Sequence, residues 1–204
     1  MITNWGYELP EINSLPDMLT MDDFNDYTGG KFGDTDRIAR EITAACSAIR
    51  NFVGWHLFPP EACKMRALST DRRITRVGCD LLIQLPARVV TEVESIKVND
   101  VSYASYFCDQ NGLLRVFNVP TLERTAIVEV EYTAGITDEM IAPIEELISH
   151  RVTHAVAVPE GITQEASGGV SVTYNANWIN NSRATALAGD NKELLVPYKV
   201  MGVF

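Results

Sequence analysis

The spacing of apolar residues changes twice along the chain, and that change limits what it can fold into more than any single motif does. Between residues 38 and 52, Ile38, Ile42, Ala45, Ile49 and Phe52 recur at intervals of four and three, the repeat of one buried helix face. From Ala62 to Gly135 the interval drops to about two. There Met65, Ala67, Leu81, Ile83, Leu85, Val93, Ile96, Val98, Val116, Ile127, Val128, Val130 and Tyr132 lie in short runs bounded by turn residues, which predicts a β region. Past Gly135 the helical interval returns in Ile141, Ile144, Leu147, Ile148, Val152 and Ala155, with Glu145, Glu146 and Arg151 opposite. Helix, strands and helix again predict an α+β chain.

Local signals punctuate these blocks. Residues 1–19 carry Gly6, Pro10, Pro16 and several acids without periodicity, which predicts an extended arm. Thr20-Met21-Asp22-Asp23 has the capping-box spacing, and Gly29-Gly30 ends the short helix it starts. Asp34 or Thr35 caps the second helix, which finishes near Gly54 because Pro59-Pro60 forbids continuation. Asn99-Asp100 and Gln110-Asn111-Gly112 read as hairpin turns, and Pro86 and Pro120 as strand ends. Pro143 fits only the first turn of the third helix, and Pro159 stops it. The stretch 160–188 reads as a loop with one short strand at Val170, Val172 and Tyr174. Asp190 and Glu193 predict a final short helix over 192–196, followed by Pro197, Tyr198 and an apolar end at Val200, Met201, Val203 and Phe204. Such a tail gains stability only by docking, and composition leaves open whether on its own core or on a partner. The expected division is an arm over 1–19, a core over 20–158 and a C-terminal loop and tail over 159–204.

Composition excludes several classes. With 46% hydrophobic and 22% charged residues among 204, the chain has the make-up of an ordinary globular protein able to bury a core without metal or disulfide. A net charge of −10 argues against nucleic-acid binding through overall charge. No run approaches the roughly 18 apolar residues of a membrane span, and residues 1–10 lack the features of a secretory signal, so a cytosolic origin is expected. Cys46, Cys63, Cys79 and Cys108 form no C-x-x-C pair and read as buried free thiols.

Each chemical motif has a plainer reading that outweighs it. His150 and His154 are spaced for one helix face, but Arg151 stands where a metalloprotease helix needs its glutamate, so a surface or structural role is favoured over metal. Gly29-Gly30-Lys31-Phe32-Gly33-Asp34-Thr35 lacks a phosphate loop's ending, and its acids would repel phosphate, which leaves a connecting turn. Lys64, Arg66, Arg72, Arg73 and Arg76 form a basic cluster with Asp71 as its single acid. A solvated strand face is the first reading, with contact to an acidic neighbour or passing DNA as the second. The acidic counterpart lies in residues 8–36, including Asp22 and Asp23, so identical copies could meet head to tail through Arg72 and Arg73. No nucleophile with a placed base emerges, and the chain reads as a non-enzyme without cofactor or metal.

The order of these segments resembles the head-tail connector proteins (adaptor, or head-completion, proteins) of tailed bacteriophages and gene transfer agents. The resemblance rests on Leu19-Thr20-Met21-Asp22-Asp23-Phe24, on Phe52-Val53-Gly54-Trp55 closing the second helix, and on Leu85-Pro86-Ala87-Arg88-Val89 before Val93-Glu94-Ser95-Ile96-Lys97-Val98. It continues through Val130-Glu131-Tyr132-Thr133-Ala134-Gly135, Gly168-Gly169-Val170-Ser171-Val172-Thr173-Tyr174 and Leu194-Leu195-Val196-Pro197-Tyr198. It implies a helical bundle, with a helix-turn-helix opening and a later long helix, into which an antiparallel β region is inserted between extended termini. It further implies a virion protein of the neck: a homo-oligomeric ring of about twelve copies under the portal protein, extending the DNA channel toward a downstream neck or tail protein. DNA would pass without sequence-specific binding, and no membrane is involved. Portal docking would fall to Leu194, Leu195, Tyr198, Val203 and Phe204. A tail terminator or stopper is the alternative, and a small metal- or nucleotide-dependent enzyme using His150 and His154 the third reading.

Overall fold

A computed structural model describes residues 2–3, 6–8, 10–11, 14–120, 123, 125–157, 164–167, 170–173 and 191–200. The chain divides into two units. One comprises Met1–Pro16, Val53–Met140 and Tyr198–Phe204, and the other Asp17–Phe52 and Ile141–Pro197.

The first unit is built of antiparallel strands. β1 (Ile2–Thr3), β2 (Tyr7–Glu8), β3 (Glu61–Leu68), β6 (Val90–Val98), β7 (Val101–Ser102) and β10 (Ile127–Ala134) form one sheet in the order β1-β2-β3-β10-β6-β7. β4 (Ile74–Val77), β5 (Asp80–Gln84), β8 (Tyr106–Cys108) and β9 (Leu113–Val116) form a second in the order β4-β5-β9-β8. The period-two pattern sets their faces: Val128, Val130, Tyr132 and Ala134 of β10 are fully buried, flanked in register by Met65 and Cys63 of β3 and Ile96 and Val98 of β6. Each such valine, isoleucine or methionine side chain contributes about 1.5–3 kcal/mol by leaving water. The second sheet buries Ile74, Leu81, Ile83, Leu114 and Val116 in the same way. Turn chemistry follows the sequence: Asn99 and Asp100 have φ of 47° and 64°, as a two-residue hairpin with positive φ requires. At the far end of β10, Gly135 passes so close to Pro59 and Pro60 that an added Cβ would lie 2.5 Å from Pro60 Cα.

The second unit carries the helical pattern. α1 (Met21–Thr28) has the expected capping box at Thr20 and Asp23 and ends on Gly29 in the left-handed conformation. α2 (Thr35–Val53) buries Ile38, Ile42, Ala45 and Ile49, and α3 (Asp138–Ala157) buries Ile144, Leu147, Ile148 and Val152. The Arg37 guanidinium donates to the Ala155 carbonyl at 2.7 Å, and Glu41 faces Arg151, so α2 and α3 run antiparallel. The segment before α1 straps across α2, where Thr43 Oγ1 donates to Asp17 Oδ2 at 2.7 Å and the Met18 N–H to Cys46 Sγ at 3.3 Å. β11 (Gln164–Ser167) and β12 (Val170–Thr173) pair as a hairpin, and α4 (Asn191–Leu195) precedes a single 3₁₀ turn (Val196–Tyr198).

The expected helical bundle with an inserted β region does not form. Among the described residues twelve strands outnumber four α-helices, and the strands build sheets of six, four and two. Helical spacing is visible within one segment, whereas the pairing of β3 with β10 joins residues some sixty positions apart, so the sequence overstates the helices and makes the largest body look like an insertion. β1 and β2 extend that sheet by backbone pairing, which needs no apolar repeat. Pro143 lies inside α3 rather than in its first turn, because the helix starts at Asp138. Pro143 and Glu139 are exposed, so water can satisfy the Glu139 carbonyl that proline leaves without a donor. A two-stranded hairpin replaces the expected single strand, since Gln164–Ser167 pairs with Val170–Thr173. Asp190, Tyr174, Pro159, Met201, Val203 and Phe204 lie outside the described residues.

Candidate interaction surfaces

The outward face of the six-stranded sheet carries charge in register. Across β3, β10 and β6, Lys64 stands beside Glu131 and Glu131 beside Ser95, while Arg66 stands beside Glu129 and Glu129 beside Lys97. Lys64 Nζ lies 2.9 Å from Glu131 Oε1, Ser95 Oγ donates to Glu131 Oε2 at 2.9 Å, and Arg66 Nε lies 2.9 Å from Glu129 Oε1. The Lys64 hydrogen bond, with help from Ser95, holds the Glu131 carboxyl below its ordinary range and raises Lys64 in return. An open groove of about 480 Å³ beside this ladder is lined by Glu8, Pro10, Ala62, Cys63, Lys64, Glu94 and Glu131. Burial pushes the Cys63 thiol up to about 12, so it is no nucleophile at neutral pH. Two members of the sequence-read basic cluster are thus paired within the sheet.

The outward face of the four-stranded sheet is different in kind. Register places Thr75, Leu82, Arg115 and Phe107 in one row across β4, β5, β9 and β8. Phe107 is 61% exposed, Val77 52% and Leu113 38%. Arg115 bonds Asp80 Oδ2 through Nε and Nη2 at 2.9 and 2.5 Å, and its guanidinium lies 5.2 Å from the Phe117 ring centroid. The Arg115 hydrogen bond and the Asn118 N–H hold the Asp80 carboxyl below its ordinary range. Arg76 is a pin rather than a free charge, donating to the Gly78, Pro120 and Val119 carbonyls at 3.0, 2.8 and 2.7 Å. The Arg73 N–H donates to Asp71 Oδ1 and its side chain is half-buried, whereas Arg72 is exposed and without an ion pair among the described residues.

Within the helical unit the acids gather around an aromatic ring. Asp22 and Asp26 are exposed on α1, and Asp23 is committed to the cap through Thr20. Tyr27 is 49% exposed, and its phenol is raised by burial, then by the charges of Glu145, Glu146 and Asp23. His150 Nε2 lies 3.6 Å from Glu146 Oε1, and burial followed by the neighbouring His150 lowers His154. Among the described residues no three His, Cys, Asp or Glu side chains gather as a metal-ligand group, and no helix is long and apolar enough to cross a membrane.

The C-terminal docking residues separate. Leu195 is buried and Leu194 is 54% exposed. The Tyr198 carbonyl accepts the Trp55 indole N–H at 2.7 Å, and the Val200 N–H donates to the Val53 carbonyl at 3.0 Å. The last carbonyl of α2 thereby gains a donor, so residues 198–200 dock on their own chain. The sequence motif around Gly54 and Trp55 marks this place, but nothing in it reveals what fills it. Val203 and Phe204 lie outside the described residues. No family model and no curated protein matches the chain.

Proposed function

We propose that the protein is a structural virion component, a head-to-tail connector that assembles as a ring beneath the portal and supports tail attachment. The observation that carries the assembly reading is the outward face of the four-stranded sheet, where Phe107, Val77 and Leu113 stand in water around the Arg115–Asp80 ion pair. Faces of this kind are covered in a working assembly. The portal part rests on the ordered sequence resemblance from about residue 19 onward, and on a C-terminal segment in which the Tyr198 carbonyl accepts the Trp55 indole N–H and the Val200 N–H donates to the Val53 carbonyl before an apolar end. An acidic balance of −10 suits a channel that DNA passes without adhering.

The test is the light-scattering mass of the protein alone and mixed with the portal ring from the same genome. A small species that converts to a portal-sized complex, with about one copy per portal subunit, supports the reading. Truncation after Asp190 then abolishes that complex. Absence of association ends portal docking and transfers the question to the tail tube.

A further inference from the structure

We infer that the edge of β3 is a strand-acceptor site, and that in the assembled protein it takes the N-terminal β1–β2 arm of a second copy in place of the chain's own. The inference rests on the assembly part of the proposed function and not on the portal.

What fits this edge is visible in the structure, because the chain's own arm occupies it. β2 pairs with β3 at Tyr7–Met65 and Glu8–Lys64, and the Arg66 N–H donates to the Gly6 carbonyl at 3.0 Å. Gly6 is part of the fit: at its φ of 70° an added Cβ would lie 2.6 Å from the Arg66 carbonyl oxygen, so glycine alone brings the arm this close. Charge agrees with register, since Lys64 is raised first by its hydrogen bond to Glu131 and then by the carboxylates of Glu131, Glu129 and Glu8. The β3 edge of a second copy is a poorer occupant, because antiparallel pairing of the two would bring Lys64 and Arg66 of one against those of the other. Continued, the β2 register would set Pro10 opposite Ala62, where proline has no N–H to give, and both residues line the groove at this end of the strand.

Exchange needs an arm that lets go while its root holds. The arm grips β3 through backbone groups at Gly6, Tyr7 and Glu8. Beyond the connecting residues, Met18 and Leu19 are fully buried and Asp17 accepts from Thr43. Residues 9–16, drawn out, reach at most about 28 Å, enough to cross to a copy in contact. A second copy's arm makes the same contacts on β3 as the first, so exchange loses none of them and ties each chain to its neighbour.

The double variant Glu8→Cys/Lys64→Cys, in a Cys79→Ser background that removes the exposed thiol, tests this. Directly opposed antiparallel residues have Cα atoms about 4.5–5.5 Å apart, within reach of a disulfide. Oxidised as dilute free protein, the variant should close within one chain, following the register of β2 on β3. Oxidised after assembly on the portal ring, it should give linked chains on non-reducing gels, at least about tenfold more than either single variant. Thermal melts matching the wild type confirm folding. Where they differ, carbodiimide coupling of Glu8 to Lys64 in wild-type assemblies mixed from light and heavy isotope-labelled protein gives the same answer, as peptides of mixed isotope. Gly6→Val, which blocks the fit, should weaken assembly at least about tenfold with the melt little changed. Assembled protein that closes only within single chains, or coupled peptides of one isotope only, overturns the exchange while the assembly reading stands. So does a Gly6→Val variant that assembles as the wild type does. A wild type that assembles neither alone nor on the portal overturns both.

Discussion

The two sheets of the β unit solve the problem of an outward face in opposite ways. On the six-stranded sheet, Lys64, Arg66 and Lys97 alternate with Glu129 and Glu131 across three strands, and Lys64 and Arg66 pair with Glu131 and Glu129 on the same face. On the four-stranded sheet, the row through Leu82, Arg115 and Phe107 leaves aromatic and aliphatic surface in water. Exposed pairs contribute little stability, about 0–1 kcal/mol each, so the ladder is better understood as a face that rejects apolar partners. The difference separates a face whose exposed positions are mainly paired charges from one with more apolar surface in water.

The largest effect should come from the crowded end of the six-stranded sheet. Gly135→Val places a Cβ 2.5 Å from Pro60 Cα at a φ of 150°, and should cost at least about 3 kcal/mol or prevent folding, as read by thermal melting. Gly78, in the β4–β5 turn of the other sheet, faces open space at a φ of 63°, and Gly78→Ala should cost only about 1 kcal/mol. Equal costs would show that the two sheets are not braced differently.

Next come substitutions that separate core from contact. Val130→Ala removes a fully buried side chain from the middle of β10 and should cost about 2 kcal/mol in urea unfolding. Phe107→Ser should leave stability within about 0.5 kcal/mol and weaken assembly instead.

How much of this was legible depends on whether the cause is local. The Thr20 and Asp23 cap, the α2 stripe and the alternation of Ile127–Ala134 each follow from residues within a few positions of one another, and all appear in the structure. The helical bundle failed as an expectation because sheet order is set by distant pairing, and because β1 and β2 join through backbone groups that leave no pattern. The basic cluster was legible as composition but not as geometry. Glu129 and Glu131, at the same two-residue interval as Lys64 and Arg66, were the available sign that two of its members would be paired. The duties of Arg76 and Asp23 are matters of three-dimensional reach, and no spacing announces the carbonyls that Arg76 holds.

The smallest effect belongs to the ladder and appears with pH. Glu131 is held below its ordinary value near 4.5, so the ionised carboxylate favours the folded chain. Its contribution is complete above that value and is lost as pH falls through the lowered one. With the Glu131 side chain 44% exposed, the loss should stay below about 1 kcal/mol. Glu131→Gln should remove this part of the acid dependence and leave association unchanged.

Amide hydrogen exchange of the free and assembled protein tests the contrast most directly. The account predicts new protection at Tyr106–Cys108, Leu113–Val116 and Ile74–Val77 on assembly, with Glu61–Leu68 unchanged. Protection confined to Glu61–Leu68, with the four-stranded sheet exchanging as before, would contradict it.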